Sequence, residues 1–377
     1  MNVASKGTTS RAMSPDINRA ELAPPTFADP PFSRIVVLAD SLTGACDSSA
    51  VFIRTGRTVR VWFGAAVQFS APESVQAFTT NSHMVAPSRA GRAASEATKA
   101  LGSNPTSLFF QAVDPAARGS AGAEILAAHR ALSTRAVLFA PAFPAVGYVV
   151  REGVLERNND TGRPNLIRLQ GLFPLTARGK IAIISSPSEL EPAIDSGKTI
   201  LLCDAETQSD LENLARASQN LPSLLFAGSA GLAQALASLN LVAQPQALVP
   251  SAEHTLLIAG SSHPLIKIQL LALDRDRHPD VRVVKTGFAA RSRIRSSFRA
   301  TTPQAIILSG AEAALLAVSA LDAHSFILQG ELAPGIPWGL IQGGLAHGTA
   351  VVTLSAGLGS ETVFNEILSA LQTPTSM

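Results

Sequence analysis

The chain has no unbroken apolar run of about 18 residues, the length a membrane-spanning helix needs. It has little charge. Asp, Glu, Lys and Arg make up only 15% of 377 residues, and 30 basic against 28 acidic residues leave a net charge of +2. The basic excess of a nucleic-acid binder is therefore missing. Aromatic residues are 5%, with a single tyrosine, too few for platforms that stack single strands. Two cysteines, Cys46 and Cys203, cannot build a disulfide framework or, by themselves, a zinc site. The seven histidines never pair at metal-ligand spacing, and the nearest pair, His254 and His263, reads as surface. What is present is a 46% hydrophobic chain, the balance of a globular protein and not of a disordered one. Its length suits two cores better than one. The expectation is a cytoplasmic, two-domain protein that handles small molecules, without nucleic-acid or membrane partners.

Residues 1–32 mix Ser, Thr, Ala and Pro with scattered charges. They hold no apolar h-region and no clear amphipathic repeat, so they are expected to form a disordered tail and neither a secretory signal nor a transit peptide. From Ile35 onward short apolar runs alternate with small-residue turns and helical stretches such as 119–134 and 208–219. The runs are IVVLAD (35–40), VRVWFG (59–64), SLFFQAVD (107–114), AVLFAPA (136–142), KIAIIS (180–185), TILLCDA (199–205) and SLLFAGS (223–229). Runs apolar throughout suit parallel strands buried on both faces, and the alternation predicts an α/β fold. NLVAQPQALVPSA (240–252) breaks the pattern; beyond it TLLIAG (255–260), AIILSG (305–310) and AVVTLSAG (350–357) each run into a helical stretch. Two α/β domains are expected, 33–240 and 252–374, each a mainly parallel sheet flanked by helices.

In such sheets ligands sit beyond the carboxyl ends of the strands, where helix N-termini offer N–H groups to phosphate. Ser261, Gly310 and Gly357 occupy these positions in the C-terminal part. Small residues at strand–helix turns are also ordinary in α/β proteins, so both readings stay open. Standard signatures fail: SGKT (196–199) has Pro192 where a P-loop needs its first glycine, and Gly357-Leu358-Gly359 lacks a third glycine. The N-terminal part is more telling. ADSLTGACD puts Asp40 and Asp47 around one turn, where they could accept sugar hydroxyls or take a proton, or where Asp40 could simply cap a helix. VDPAARGSAGAE puts Asp114, Arg118 and Glu124 near another carboxyl end; Arg118 could clamp a substrate carboxylate or form an ordinary ion pair.

ADSLTGACD, DPAARGSAGAE, APAFPAVGY, DAET, GSAGLA, GSSHP, SGAEAA, PGIPWG and SAGLGSE occur in this order. Over residues 34–371 the chain resembles the four-carbon acid sugar kinase family. The resemblance implies a sugar-acid-binding domain followed by a nucleotide-binding domain, with the active site in the cleft between them. It implies phosphorylation of the terminal hydroxyl of an acid such as threonate, erythronate or 3-oxo-tetronate, using ATP and Mg2+. The substrate side carries over to Asp40, Asp47, Asp114, Arg118 and Glu124, with Asp40 or Asp47 taking the hydroxyl proton. The ATP side carries over to Ser261, to the turn Gly310, Ala311, Glu312 and Ala313, and to Gly357. The chain also departs from the family. The second acid of the first motif is Ser41, the motif lysines are Ala112 and Leu354, and a serine–threonine pair is Pro115 and Ala116. The arginine after the AFPA block is Tyr148, and Gly-Gly-Glu-Thr has become Gly310 to Ala313. The alternative is a non-catalytic member that binds a metabolite or a partner protein; a dehydrogenase using Gly357 and Gly359 for a dinucleotide is a weaker third reading.

Overall fold

A computed structural model describes residues 34–63, 74–101, 107–157, 166–242, 247–260 and 263–372. The expected tail, 1–32, and Ser261 lie outside the described residues. Each apolar run forms a strand, and after most of them the small-residue turn opens a helix; β2 and β5 lead instead to further strands. The first half contains β1 (Arg34–Ala39), α1 (Leu42–Ala50), β2 (Val59–Trp62), β3 (Val75–Thr79), α2 (Pro87–Leu101), β4 (Ser107–Ala112), α3 (Ala121–Leu132) and β5 (Ala136–Ala140). It continues with β6 (Tyr148–Arg151), β7 (Val154–Arg157), β8 (Ile167–Arg168), β9 (Ile181–Ile184), α4 (Leu190–Asp195), β10 (Ile200–Cys203), α5 (Gln208–Ser218), β11 (Leu224–Gly228) and α6 (Ala230–Ser238). The second half contains β12 (Thr255–Ala259), α7 (Pro264–Leu271), β13 (Val281–Lys285), α8 (Ala290–Thr301), β14 (Ala305–Ser309) and α9 (Ala311–Ala320). Strands β15 (Ser325–Ala333), β16 (Ile336–Gln342) and β17 (Ala350–Leu354) and helix α10 (Val363–Gln372) complete it.

Among the described residues the strands form one 14-stranded sheet, ordered β13-β12-β14-β17-β16-β15-β2-β3-β1-β4-β11-β5-β10-β9, and a small sheet, β6-β7-β8. From β2 to β9 every pairing is parallel, as buried apolar runs require. The set β13-β12-β14-β17 is parallel as well. The hairpin β15–β16 runs antiparallel between the two sets, and β15 pairs with β2 from Ser325 opposite Trp62 to Leu328 opposite Val59. The two α/β halves thus share one sheet. Strands β3, β6 to β8, β13, β15 and β16 were not among the sequence-predicted runs.

This topology positions the site. The intervening hairpin leaves the two parallel sets running in opposite senses. Six strand pairings separate β4 from β17, and a twist of roughly 20–25° at each turns one set most of the way back. The carboxyl ends of β1, β4 and β17 therefore meet, and hydrogen bonds cross between them. The strands are buried on both faces: Val37, Leu38, Phe110 and Phe139 in one half and Leu256, Leu257, Ile307 and Val352 in the other have no exposed surface. Each such side chain stabilises the fold by about 1.5–3 kcal/mol relative to exposure. No helix among the described residues is long and apolar enough to cross a membrane.

Candidate active site

From Ile35 strand β1 is apolar up to Asp40, which stands at the carboxyl edge of the sheet and is only 8% exposed. The helix cap, one of two roles open to Asp40, is filled by Ser41, whose hydroxyl accepts the Gly44 N–H at 3.3 Å. The loop after β3 folds over this edge. Its Thr80 N–H donates to the Ala39 carbonyl at 2.9 Å, and its Ser82 N–H donates to the Asp40 carbonyl at 2.8 Å. The Ser82 hydroxyl then donates to Glu124 Oε1 at 2.6 Å, fixing a buried carboxyl in the first turn of α3.

Strand β4 delivers Asp114. Its Oδ1 accepts the Ala116 N–H at 2.8 Å, and Arg118 grips both oxygens, through Nε at 3.0 Å and a terminal nitrogen at 2.6 Å. The same terminal nitrogen donates to the Ala356 carbonyl at 2.5 Å, in the turn after β17. Gly119 follows with φ +82°; a Cβ there would lie 2.9 Å from Asp40 Oδ2 and 3.4 Å from the His83 carbonyl, so this close approach requires glycine. Asp47, in the second turn of α1, makes another crossing. One oxygen accepts the Ser355 hydroxyl at 2.6 Å, while buried Oδ1 has no hydrogen-bond partner among the described residues. Between Gly44, Asp47, Asp114, Phe143 and Ser355 remains a cavity of about 20 Å³, room for a single water.

These carboxyls are held away from water, and their titration shows it. Burial, reinforced by the charges of Glu124 and Asp114, pushes Asp40 from the ordinary 3.8 to about 8. Burial raises Asp47 well above the usual range against the opposing Ser355 bond, with Glu331 and Asp114 adding to the rise. Burial also raises Glu124, against the Ser82 bond. For Arg118 burial pulls the other way, but the charge and bonds of Asp114 outweigh it, so the guanidinium is firmly protonated. Two imidazoles face this cluster. His83 is kept neutral by burial and by Arg118, and the charges of Asp114 and Glu312 oppose this. His263 is kept neutral by burial, then Arg118 and Arg157.

The structure brings together Asp40, Asp114, Arg118 and Glu124, and sets Asp47 against the same small cavity. Of the residues expected on the nucleotide side, Ser261 lies outside the described residues. Gly310, with φ +90°, precedes α9 and donates its N–H to the Leu354 carbonyl at 2.9 Å. Ala311, Glu312 and Ala313 form the first turn of α9, which packs against α1. Gly357 has φ +88°, and a Cβ there would lie 2.9 Å from His263 Nε2. His263, read from sequence as a surface residue, is a half-buried cap whose Nδ1 accepts the Leu265 N–H at 3.2 Å. Sequence reasoning also missed His83, Arg157, Glu331 and Ser355. Ser355 was within reach, since it ends an apolar run in the same way as Asp40; the others depend on long-range packing.

A larger cavity, about 550 Å³, lies elsewhere, at the carboxyl ends of β9 and β10 and the start of α5. Its polar groups are paired among themselves. Asp204 accepts the N–H groups of Glu152 and Gly153 at 2.9 Å and the Ser185 hydroxyl at 3.0 Å, and Arg151 pairs with Glu206 at 2.8 Å. It gathers none of the expected site residues.

Residues 35–177 and 161–236 match the family described as the sugar-binding N-terminal domain, more than half of the chain. The chain is also 26% identical over 394 residues to a D-threonate kinase of Bordetella bronchiseptica, covering 90% of this chain and 97% of that one. The chain belongs to the four-carbon acid sugar kinase family, as a divergent member. Another member of similar sequence is a D-erythronate kinase of Heliobacterium modesticaldum, 27% identical over 64% of this chain and 60% of the relative. A crystal structure of a Haemophilus influenzae protein shares the fold, with a TM-score of 0.60 at 17% identity, over 89% of this chain and 100% of that one. In this family member, the two positions where the sequence motifs lead one to expect lysine, Ala112 and Leu354, are buried apolar strand residues.

Proposed function

We propose that the protein is an ATP-dependent kinase that phosphorylates the terminal hydroxyl of a small, four-carbon sugar acid such as threonate, erythronate or 3-oxo-tetronate. The supporting observation is that the acid–arginine cluster of the first half and the Ser355–Gly357 turn of the second are joined by hydrogen bonds, Arg118 to Ala356 and Asp47 to Ser355. The substrate hydroxyl oxygen bonds to the γ-phosphorus as the bond to the ADP oxygen breaks, and the hydroxyl proton passes to Asp40. A carboxyl titrating near 8 is a base strong enough for this at mildly alkaline pH. Arg118 takes the substrate carboxylate in exchange for part of its grip on Asp114, and Glu124 and Asp47 accept hydroxyl hydrogen bonds. Catalysis is then mainly positioning and charge stabilisation. A cavity of about 20 Å³ cannot hold a four-carbon acid, so substrate entry opens the two crossing bonds and the halves close again around it.

Among the described residues no group of three or more His, Cys, Asp or Glu side chains is arranged to hold a metal ion. The residues therefore do not make a dedicated cage, and Mg2+ fits only as an ion that arrives on the nucleotide phosphates. A non-catalytic member binding a metabolite or partner is the second reading, favoured by the buried apolar side chains of Ala112 and Leu354, which supply no charge for phosphate or carboxylate. ADP release with Mg-ATP across threonate, erythronate, 3-oxo-tetronate and close relatives separates the two. Acid-dependent release that Asp47→Ala abolishes is expected; release no greater than that of the variant, for every acid, sinks the kinase.

A further inference from the structure

Arg157 ends β7, and its guanidinium carbon lies 5.3 Å from the centre of the Tyr148 ring. Other arginines around it have acidic partners: Arg118 holds Asp114, and Arg151 holds Glu156 and Glu206. Among the described residues no carboxylate pairs with Arg157, and its Nε is buried without an acceptor. A half-buried cation without a counter-charge is costly. The contact with the ring offsets part of that cost, about 0.5–2 kcal/mol, and leaves the charge unneutralised. The location says which charge is missing. Tyr148 feels Asp114 and Arg118 on the sugar-acid side, while Arg157 acts on His263, the cap of α7 that lies against Gly357. Arg118 reaches the same turn through the Ala356 carbonyl and also acts on His263, but its guanidinium is already held by Asp114, so among the described residues Arg157 is the cation at this junction left without a counter-charge.

We infer that Arg157, steadied by the Tyr148 ring, is an anion-binding residue of the active site and that its ligand is the phosphate chain of the nucleotide. The inference rests on the kinase reading and adds a residue to it. The planar guanidinium offers parallel N–H donors to phosphate oxygens, which an ammonium cannot reproduce.

Calorimetric titration with Mg-ATP, of wild type and of Arg157→Gln and Arg157→Lys, tests the inference, together with initial rates that give KM for ATP and for the acid separately. Loss of a charge-assisted contact should weaken Mg-ATP binding by roughly tenfold or more in Arg157→Gln, with partial recovery in Arg157→Lys. KM for the acid should stay within about twofold and the melting temperature should hold. If Arg157→Gln does not fold, Arg157→Lys carries the test and should still bind Mg-ATP several-fold more weakly. Unchanged Mg-ATP affinity in a folded variant overturns the inference and leaves the kinase standing. A loss confined to the acid overturns it in favour of the substrate carboxylate as the ligand. Wild type that turns over no acid and binds no Mg-ATP overturns the kinase reading, and this inference with it.

Discussion

Replacing Asp40 with asparagine should stabilise the protein, and increasingly so as pH rises. Asp40 is 8% exposed and titrates near 8 in the folded chain, against an ordinary value of 3.8. Between those values the folded state holds a proton that the unfolded state releases, so stability contributed at low pH is lost as pH rises from about 4 to 8. At about 1.4 kcal/mol per pKa unit the ceiling on that loss is roughly 5 kcal/mol at pH 8 and roughly 1.5 kcal/mol at pH 5. Asparagine cannot ionise, so Asp40→Asn escapes the loss. Its advantage over wild type should widen by up to roughly 3–4 kcal/mol between pH 5 and pH 8. Urea unfolding of both proteins at several pH values across that range reads the difference directly. Contributions of Asp47 and Glu331, which do not act on Asp40, cancel between the two proteins, whereas Glu124 is relieved of a neighbouring charge in the variant and adds to the difference. A stability difference independent of pH, or a variant less stable than wild type at pH 8, would refute the reasoning. On the proposed kinase reading the same variant should also lose acid-dependent ADP release, because an amide cannot take the hydroxyl proton.

Three further outcomes follow from the geometry. The kcat/KM of wild type for the acid should rise with pH toward a plateau above about 8, as Asp40 loses its proton; a flat profile from pH 6 to 9 would remove Asp40 as the base. Gly119→Ala should cost about 1–3 kcal/mol, seen as a lower melting temperature, because φ is +82° and the new Cβ meets Asp40 Oδ2 at 2.9 Å; an unchanged melting temperature contradicts the packing of that loop. Cys46 and Cys203 have no exposed surface, and burial pushes both thiols up. A thiol reagent should therefore find them inert in the native protein and titrate both in denaturant, and rapid native labelling of either would contradict their burial.

The parallel strands were legible because each is buried on both faces and so carries an uninterrupted apolar run, as in Val36, Val37 and Leu38 or Leu256, Leu257 and Ile258. The strands that escaped notice lack that mark. Edge strand β13 buries only Val281 and Val284 and holds two charges in five residues. The hairpin β15–β16 contains Gly330, Gly335 and Pro337, which read as breakers in isolation. Pairing of Ser325 with Trp62 joins the two halves into one sheet, and nothing local in either segment announces a partner so distant in the chain.

The site divided along the same line. Asp40, Asp114 and Glu124 were legible because strand ends followed by helices are where ligand-facing groups collect. The coupling of Glu124 to the Asp40 edge runs through Ser82, a loop residue with no motif of its own. His83 and His263 come to face the cluster from opposite halves through tertiary packing alone, and Arg157 stands out only once its lack of a carboxylate partner is seen.

The most direct test of the account follows phosphorus by 31P NMR in a mixture of the protein, Mg-ATP and a four-carbon sugar acid. Wild type should convert ATP to ADP with matched growth of a phosphate-monoester resonance, and Arg118→Ala should slow that growth steeply at low acid concentration. ATP consumed only to inorganic phosphate, or left unchanged with every acid tried, would contradict phosphoryl transfer to a sugar acid at this site.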